Sequence, residues 1–213
     1  MYRQFEKENF FDLSNFEFRD IFDNVNFVWE AIPKIENYIN SLFQKRILVG
    51  NYKDKKNVFV GEGSIVMSEA LIDGPAIIGK NCVIGHASYL RQNCLFGDNV
   101  QIGHGSEIKN SIFLNNARAA HLNYIGDSII GNNVNISGGA MVANYRLDKQ
   151  PVGVHAGNQW IETGLQKFGA IIGDSSNIGA NAVLNPGTIL EKKTIVYPLT
   201  SVKGVHKNND TIR

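Results

Sequence analysis

The stretch VGEGSIVMSEALIDGPAIIGKNCVIGHASYLRQNCLFGDNVQIGHGSEIKNSIFL, residues 60–114, repeats every six residues. Stepping by six from Val60 meets Val66, Ile72, Ile78, Ile84, Leu90, Phe96, Ile102, Ile108 and Leu114. In a chain that is 43% hydrophobic, ten such matches arise by chance with a probability of about 0.0002, taking composition as the reference. The fifth position of each unit stays small or short: Ser64, Ala70, Ala76, Cys82, Ser88, Cys94, Val100 and Ser106. The frame slips after Leu114, resumes at Ile130, Ile136 and Val142, and runs again through Ile172, Ile178, Leu184, Leu190 and Val196. A period of six fits neither an α-helix nor simple strand alternation. It fits one side of a triangular coil, in which a short strand turns an aliphatic anchor inward and Gly, Asn or Asp makes the corner. Eighteen residues then close one coil, and stacked coils form a solenoid core.

Working outward, residues 1–47 have another texture. Ile21, Phe22, Val25, Val28, Trp29 and Ile32 form one apolar stripe, and Ile35, Ile39 and Leu42 form a second beyond Pro33. The spacing predicts two amphipathic helices broken near Pro33, a cap over the open N-terminal end of the solenoid. Phe10, Phe11, Phe16 and Phe18 are expected to pack on the first coil. Residues 48–206 are the coil, and residues 143–169, ANYRLDKQPVGVHAGNQWIETGLQKFG, interrupt it as an inserted, hairpin-like loop. Residues 207–213 read as a flexible tail.

The net charge of +1 offers no general attraction for nucleic acid or an anionic membrane. No stretch is long and apolar enough to span a bilayer, and the N-terminus lacks a signal core, so a cytoplasmic location is expected. Cys82 and Cys94 occupy small-residue positions of the repeat and are read as reduced, packed thiols.

Residues that break the pattern carry the chemistry. Where glycine often follows the anchor, Asp73, Arg91 and Lys109 stand 18 apart and should stack on one face. Two stacked cations suit an anion such as phosphate; a solvated ladder shared with Asp73 is the alternative. His86 and His104 also stand one coil apart, but the His-x-x-x-x-His pair of hexapeptide-repeat carbonic anhydrases is absent, so no metal is expected.

The segments ARAAHLNYIGD (117–127) and NNVNISGGAMVANY (132–145) resemble the acetyltransferase half of bacterial bifunctional glucosamine-1-phosphate acetyltransferase/uridyltransferases. The segment ETGLQKFGAIIGDSSNIGANAVLNPGTIL (162–190) is similar to the C-terminal domains of archaeal bifunctional sugar-1-phosphate nucleotidyltransferases. The resemblance covers residues 58–203. It implies an all-β, left-handed parallel β-helix, against the usual right-handed crossover. It further implies a homotrimer using acetyl-CoA to acetylate an amino-sugar phosphate, with Arg91, Lys109, Tyr124, Asn135 and Tyr145 binding substrate. His121 matches the catalytic base, Asn144 stands near the reacting groups, and Gly138 and Ala180 match contacts to acetyl-CoA. This chain departs from the bacterial pattern at Gly138–Gly139, in place of a Gly/Ala pair, at Arg146, in place of an acid, and in a longer loop at 145–168.

The implied chemistry suits these side chains. A neutral imidazole with a pKa near about 6.5 accepts the proton as the amine attacks the thioester. Two cations fix the phosphate and so orient the amine, and a backbone N–H or the Asn144 amide stabilises the developing oxyanion. Residues 1–57 hold no GxGTRLxP-type nucleotide loop, so uridylyl transfer is not expected of this chain alone. An acyltransferase with another acceptor, or a non-catalytic sugar-phosphate-binding trimer partnering a separate nucleotidyltransferase, are the alternatives.

Overall fold

The computed structural model describes residues 3–213; Met1 and Tyr2, where the expected 1–47 unit begins, lie outside the described residues. Among the described residues, strands of mostly two or three residues stack into parallel sheets of eight, eight and seven strands, the three faces of a triangular coil. The first face runs from Val58–Val60 to Val205–His206, the second from Ile65–Val66 to Thr211–Ile212, and the third from Leu71–Ile72 to Ser201–Val202. Anchors align in register through the coils, as in the third-face column Ile72, Leu90, Ile108, Ile125, Val142, Leu184 and Val202, all buried. At the corner between the first and second faces, each coil places one residue in the left-handed region: Gly63, Asn81, Asn99, Asn116, Asn133, Ser175, Lys193 and Asn209. Asparagine recurs there because its short polar side chain tolerates this conformation better than other L-residues.

Three features differ from the sequence reading. The frame slips one unit earlier than expected: Phe113, not Leu114, pairs with Phe96 and joins the inner core, while Leu114 packs outside. A five-residue unit from Ile108 to Phe113 produces the slip, and a second lies between Ile125 and Ile130. The terminal residues 207–213 are no free tail either, since Thr211–Ile212 pairs with Ile195–Val196 and Ile212 packs against the core.

The third difference concerns the N-terminal region. The first apolar stripe forms 3-10 turns at Arg19–Phe22 and Val28–Lys34, and only the second forms an α-helix, α1, at Ile35–Gln44. Asn24 in the left-handed region (φ 56°) separates the turns. Pro33 disfavours α geometry in the residue before it, and the Val28–Lys34 turn then leads directly into α1 without a break.

This region does not cap the end of the coil; it lies along the first face. Residues 8–16 climb one edge coil by coil. Lys192 donates to the Glu8 carbonyl, Asp174 N–H to Phe10, Asn132 Nδ2 to Asp12 and Asn115 Nδ2 to Asn15. Phe10, Phe11, Phe16 and Phe18 are therefore buried against middle and lower coils rather than the first. With the 3-10 turns and α1 they cover an outward ladder of Ile77, Leu95, Ile112, Ile129, Ile171 and Ile189, aligned in register beside the inward anchors. Residues 143–169 leave the third face, and Val152–Ala156 pairs antiparallel with Gln159–Leu165. Val152, Val154 and Ile161 from this hairpin join the same outer cluster. Among the described residues, no helix is long and apolar enough to cross a membrane.

Candidate functional site

Asp73, Arg91 and Lys109 occupy one column at the edge of the third face, as the register of their neighbours requires. Each carries its own partner. Asp73 accepts from Tyr89 Oη at 2.7 Å and pairs with Lys55 at 3.5 Å, so it does not neutralise the cations below it. Arg91 Nη1 meets Glu107 Oε1 at 3.0 Å, and Lys109 Nζ lies 3.3 Å from Asp127 Oδ2. The stacked cations are thus balanced inside the chain by Glu107 and Asp127, two carboxylates that the sequence reading passed over.

Asp127 is the hub of the cluster. Only 4% exposed, it accepts from Lys109, from Asn110 Nδ2 at 2.7 Å and from Asn144 Nδ2. Asn144 Nδ2 also donates to Tyr124 Oη at 3.2 Å. Burial and the nearby Asp127 carboxylate push the Tyr124 hydroxyl above its ordinary pKa, against the Asn144 hydrogen bond, which lowers it. Arg91, Lys109, Tyr124, Asn144 and Tyr145 line one cavity of about 490 Å³, completed by Gln166 and Lys167 as the chain returns from the hairpin. The recess sets Arg91, Lys109 and Lys167 beside two amides, Asn144 and Gln166, and two phenols, Tyr124 and Tyr145, a composition that suits an anionic, hydrogen-bonding ligand.

The remaining expected residues stand elsewhere. His121 lies at the opposite edge of the third face, three residues ahead of Tyr124, with its ring against Gly138; a Cβ there would stand 2.8 Å from His121 Cδ2. Backbone hydrogen bonds put Gly138 and Ala180 in the same corner column as His121: Gly139 N donates to His121 O, Asn181 N to Gly138 O and Leu199 N to Ala180 O. That column continues upward through His104 and His86, whose rings stack at 5.3 Å with Nδ1 atoms 3.2 Å apart. Asn135 sits on the second face beside Arg118 and Asn177. Within one chain, five of the expected residues converge, while His121, Gly138 and Ala180 form a separate corner and Asn135 stands alone.

The family described as the GMPPB C-terminal domain matches residues 72–205. The chain is 31% identical over 188 residues to the bifunctional protein GlmU of Methanococcus vannielii, covering 86% of this chain and 45% of that protein. It is 35% identical over 148 residues to a bifunctional sugar-1-phosphate nucleotidylyltransferase/acetyltransferase of Sulfurisphaera tokodaii, covering 70% of this chain and 37% of that protein. The chain therefore spans less than half the length of these relatives. The solved structure of the polysialic acid O-acetyltransferase OatWY aligns with 70% of this chain and 80% of its own, with TM-score 0.39 and 17% identity. With the family model matching residues 72–205, and with its six-residue period and triangular stack of parallel sheets, the chain belongs to the GMPPB C-terminal domain family, as a parallel β-helix of hexapeptide repeats.

Proposed function

We propose that the protein transfers the acetyl group of acetyl-CoA to the amine of an amino-sugar 1-phosphate, with glucosamine-1-phosphate as the type substrate. The observation that carries this reading is the recess where Arg91 and Lys109 meet Tyr124, Asn144 and Tyr145. The phosphate sits between the two cations and shares them with Glu107 and Asp127, which costs less than stripping the cations bare. The sugar lies across Tyr124 toward the edge that bears His121. His121 takes the proton from the amine as nitrogen attacks the thioester carbonyl; the thiolate of CoA leaves and is protonated. Gly138 and Ala180, in the corner of His121, face the acyl donor. Asn135, far from the recess in its own chain, serves a neighbouring copy in a homotrimer.

Incubation with acetyl-CoA and glucosamine-1-phosphate, followed by free-thiol release, tests the reaction. Turnover should fall by about 100-fold or more in His121→Ala, the scale of general-base catalysis. Equal rates in both proteins would remove His121 as the base. Glucosamine-1-phosphate bound without turnover would favour the non-catalytic sugar-phosphate-binding trimer.

A further inference from the structure

The hairpin of residues 152–165 carries a large aromatic side chain that stays part open to solvent. Val152, Val154 and Ile161 bind it to the first face, whereas Trp160 is 43% exposed. Its indole lies against Gly153 across the hairpin, where a Cβ would stand 2.2 Å from Trp160 Cζ2. The glycine thus makes the seat for the ring. His155 meets the indole edge-on at 4.5 Å, and the Arg146 guanidinium carbon lies 5.3 Å from its centroid. Asp148 fixes Arg146 through Nε at 2.9 Å and Nη2 at 2.5 Å. A large ring held this firmly with part of its surface open is a stacking platform.

The platform borders a cavity of about 560 Å³, whose other walls include Tyr145, Asn185, Lys203 and the Asp148 carboxylate that pairs with Arg146. Tyr145 also lines the recess of Arg91 and Lys109, so the two spaces adjoin. The strand register puts Lys109, Gly126, Ala143, Asn185 and Lys203 in one column. Its cations stand at the two ends with a neutral floor between them, over four coil steps or roughly 19 Å at the sheet spacing.

We propose that this second cavity is a nucleotide subsite, in which a base stacks on Trp160 and its phosphates lie toward Lys203 and Arg146. A base offers the flat π-face that an exposed indole accepts, and phosphate answers the cations beside it. The same chemistry is present at the nucleotide end of CoA and in the nucleoside diphosphate of an activated amino sugar. The subsite borrows only the Tyr145 wall from the function proposed above, and binding is read without turnover, so either can fail alone.

The full chain holds two tryptophans, and Trp29 is 1% exposed, so Trp29→Phe leaves Trp160 as the sole reporter. Its fluorescence is titrated with adenosine 3′,5′-bisphosphate and, separately, with UDP. In parallel, calorimetry compares the wild-type protein with Trp160→Ala, with circular dichroism checking that the variant keeps its β-rich fold. Saturable quenching by one nucleotide, with binding weakened about tenfold or more in Trp160→Ala, is the expected result. Quenching by the bisphosphate assigns the subsite to the acyl donor, and quenching by UDP assigns it to a nucleotide-linked sugar. Heat and quenching absent with both nucleotides, or equal affinity in Trp160→Ala, would overturn the proposal.

Discussion

Asp127 decides the geometry of the recess, because one buried carboxylate orients both Lys109 and Asn144. Asp127→Asn keeps the shape but removes the charge and one set of acceptor interactions. The expected loss is about 1.5–3 kcal/mol of stability, the range for hydrogen bonds to charged groups, read by urea unfolding. Unchanged stability would mean that Asp127 does not hold the cluster. The Tyr124 hydroxyl gives a pH prediction. Its folded pKa is raised, chiefly by burial, so the neutral form is favoured in the folded state. The resulting stability is fully present below the unfolded value of about 10 and is lost as pH rises through the folded value. Difference titration of phenolate absorbance against Tyr124→Phe should place Tyr124 above an ordinary tyrosine; a value at or below it would contradict the assignment. Arg91 and Lys109 were legible because they break a glycine position at the coil period. Glu107 and Asp127 were not, because nothing in the sequence marks which carboxylate will face a cation one coil away. Gln166 and Lys167 reach the recess only through the fold of the excursion.

At the scale of elements, the coil was legible and its dressing was not. The strap of residues 8–16 and the hairpin both exist to cover the outward ladder of the first face. Its signal lay in adjacent apolar pairs, Ile77/Ile78, Leu95/Phe96, Ile112/Phe113, Ile129/Ile130, Ile171/Ile172 and Ile189/Leu190. One member of each pair turns inward and the other outward, so a face doubled in this way needs a cover. A period search that records one anchor per unit misses the second member. It also misplaces the slip at Leu114, because Phe113 and Leu114 are both apolar. Ile112→Ala, between the coil and its cover, should cost about 2–5 kcal/mol, as for other buried aliphatic truncations. Deleting residues 1–47 should leave a protein that binds ANS and loses thermal stability while retaining β-rich circular dichroism. A deletion that melts like the full chain would mean that the first face needs no cover.

At the scale of the whole molecule, Ile65 and Ile195 stand exposed on the second face and Leu71, Met141 and Val183 on the third. Outward apolar side chains on the two uncovered faces suit burial between copies, in keeping with the proposed homotrimer. Sedimentation equilibrium should give three chain masses, with Ile65→Asp shifting the distribution toward monomer; a monomeric wild-type protein would remove the assembly and the role given to Asn135. The chemistry itself rests on phosphate recognition by Arg91 and Lys109. The most direct test is thiol release from acetyl-CoA with glucosamine-1-phosphate, set against unphosphorylated glucosamine at equal concentration. The phosphorylated sugar should show a kcat/KM at least about 100-fold higher, since the charged contacts and the orientation they impose are lost without phosphate. Equal rates with both sugars, or none with either, would contradict an acetyltransferase built around an amino-sugar phosphate.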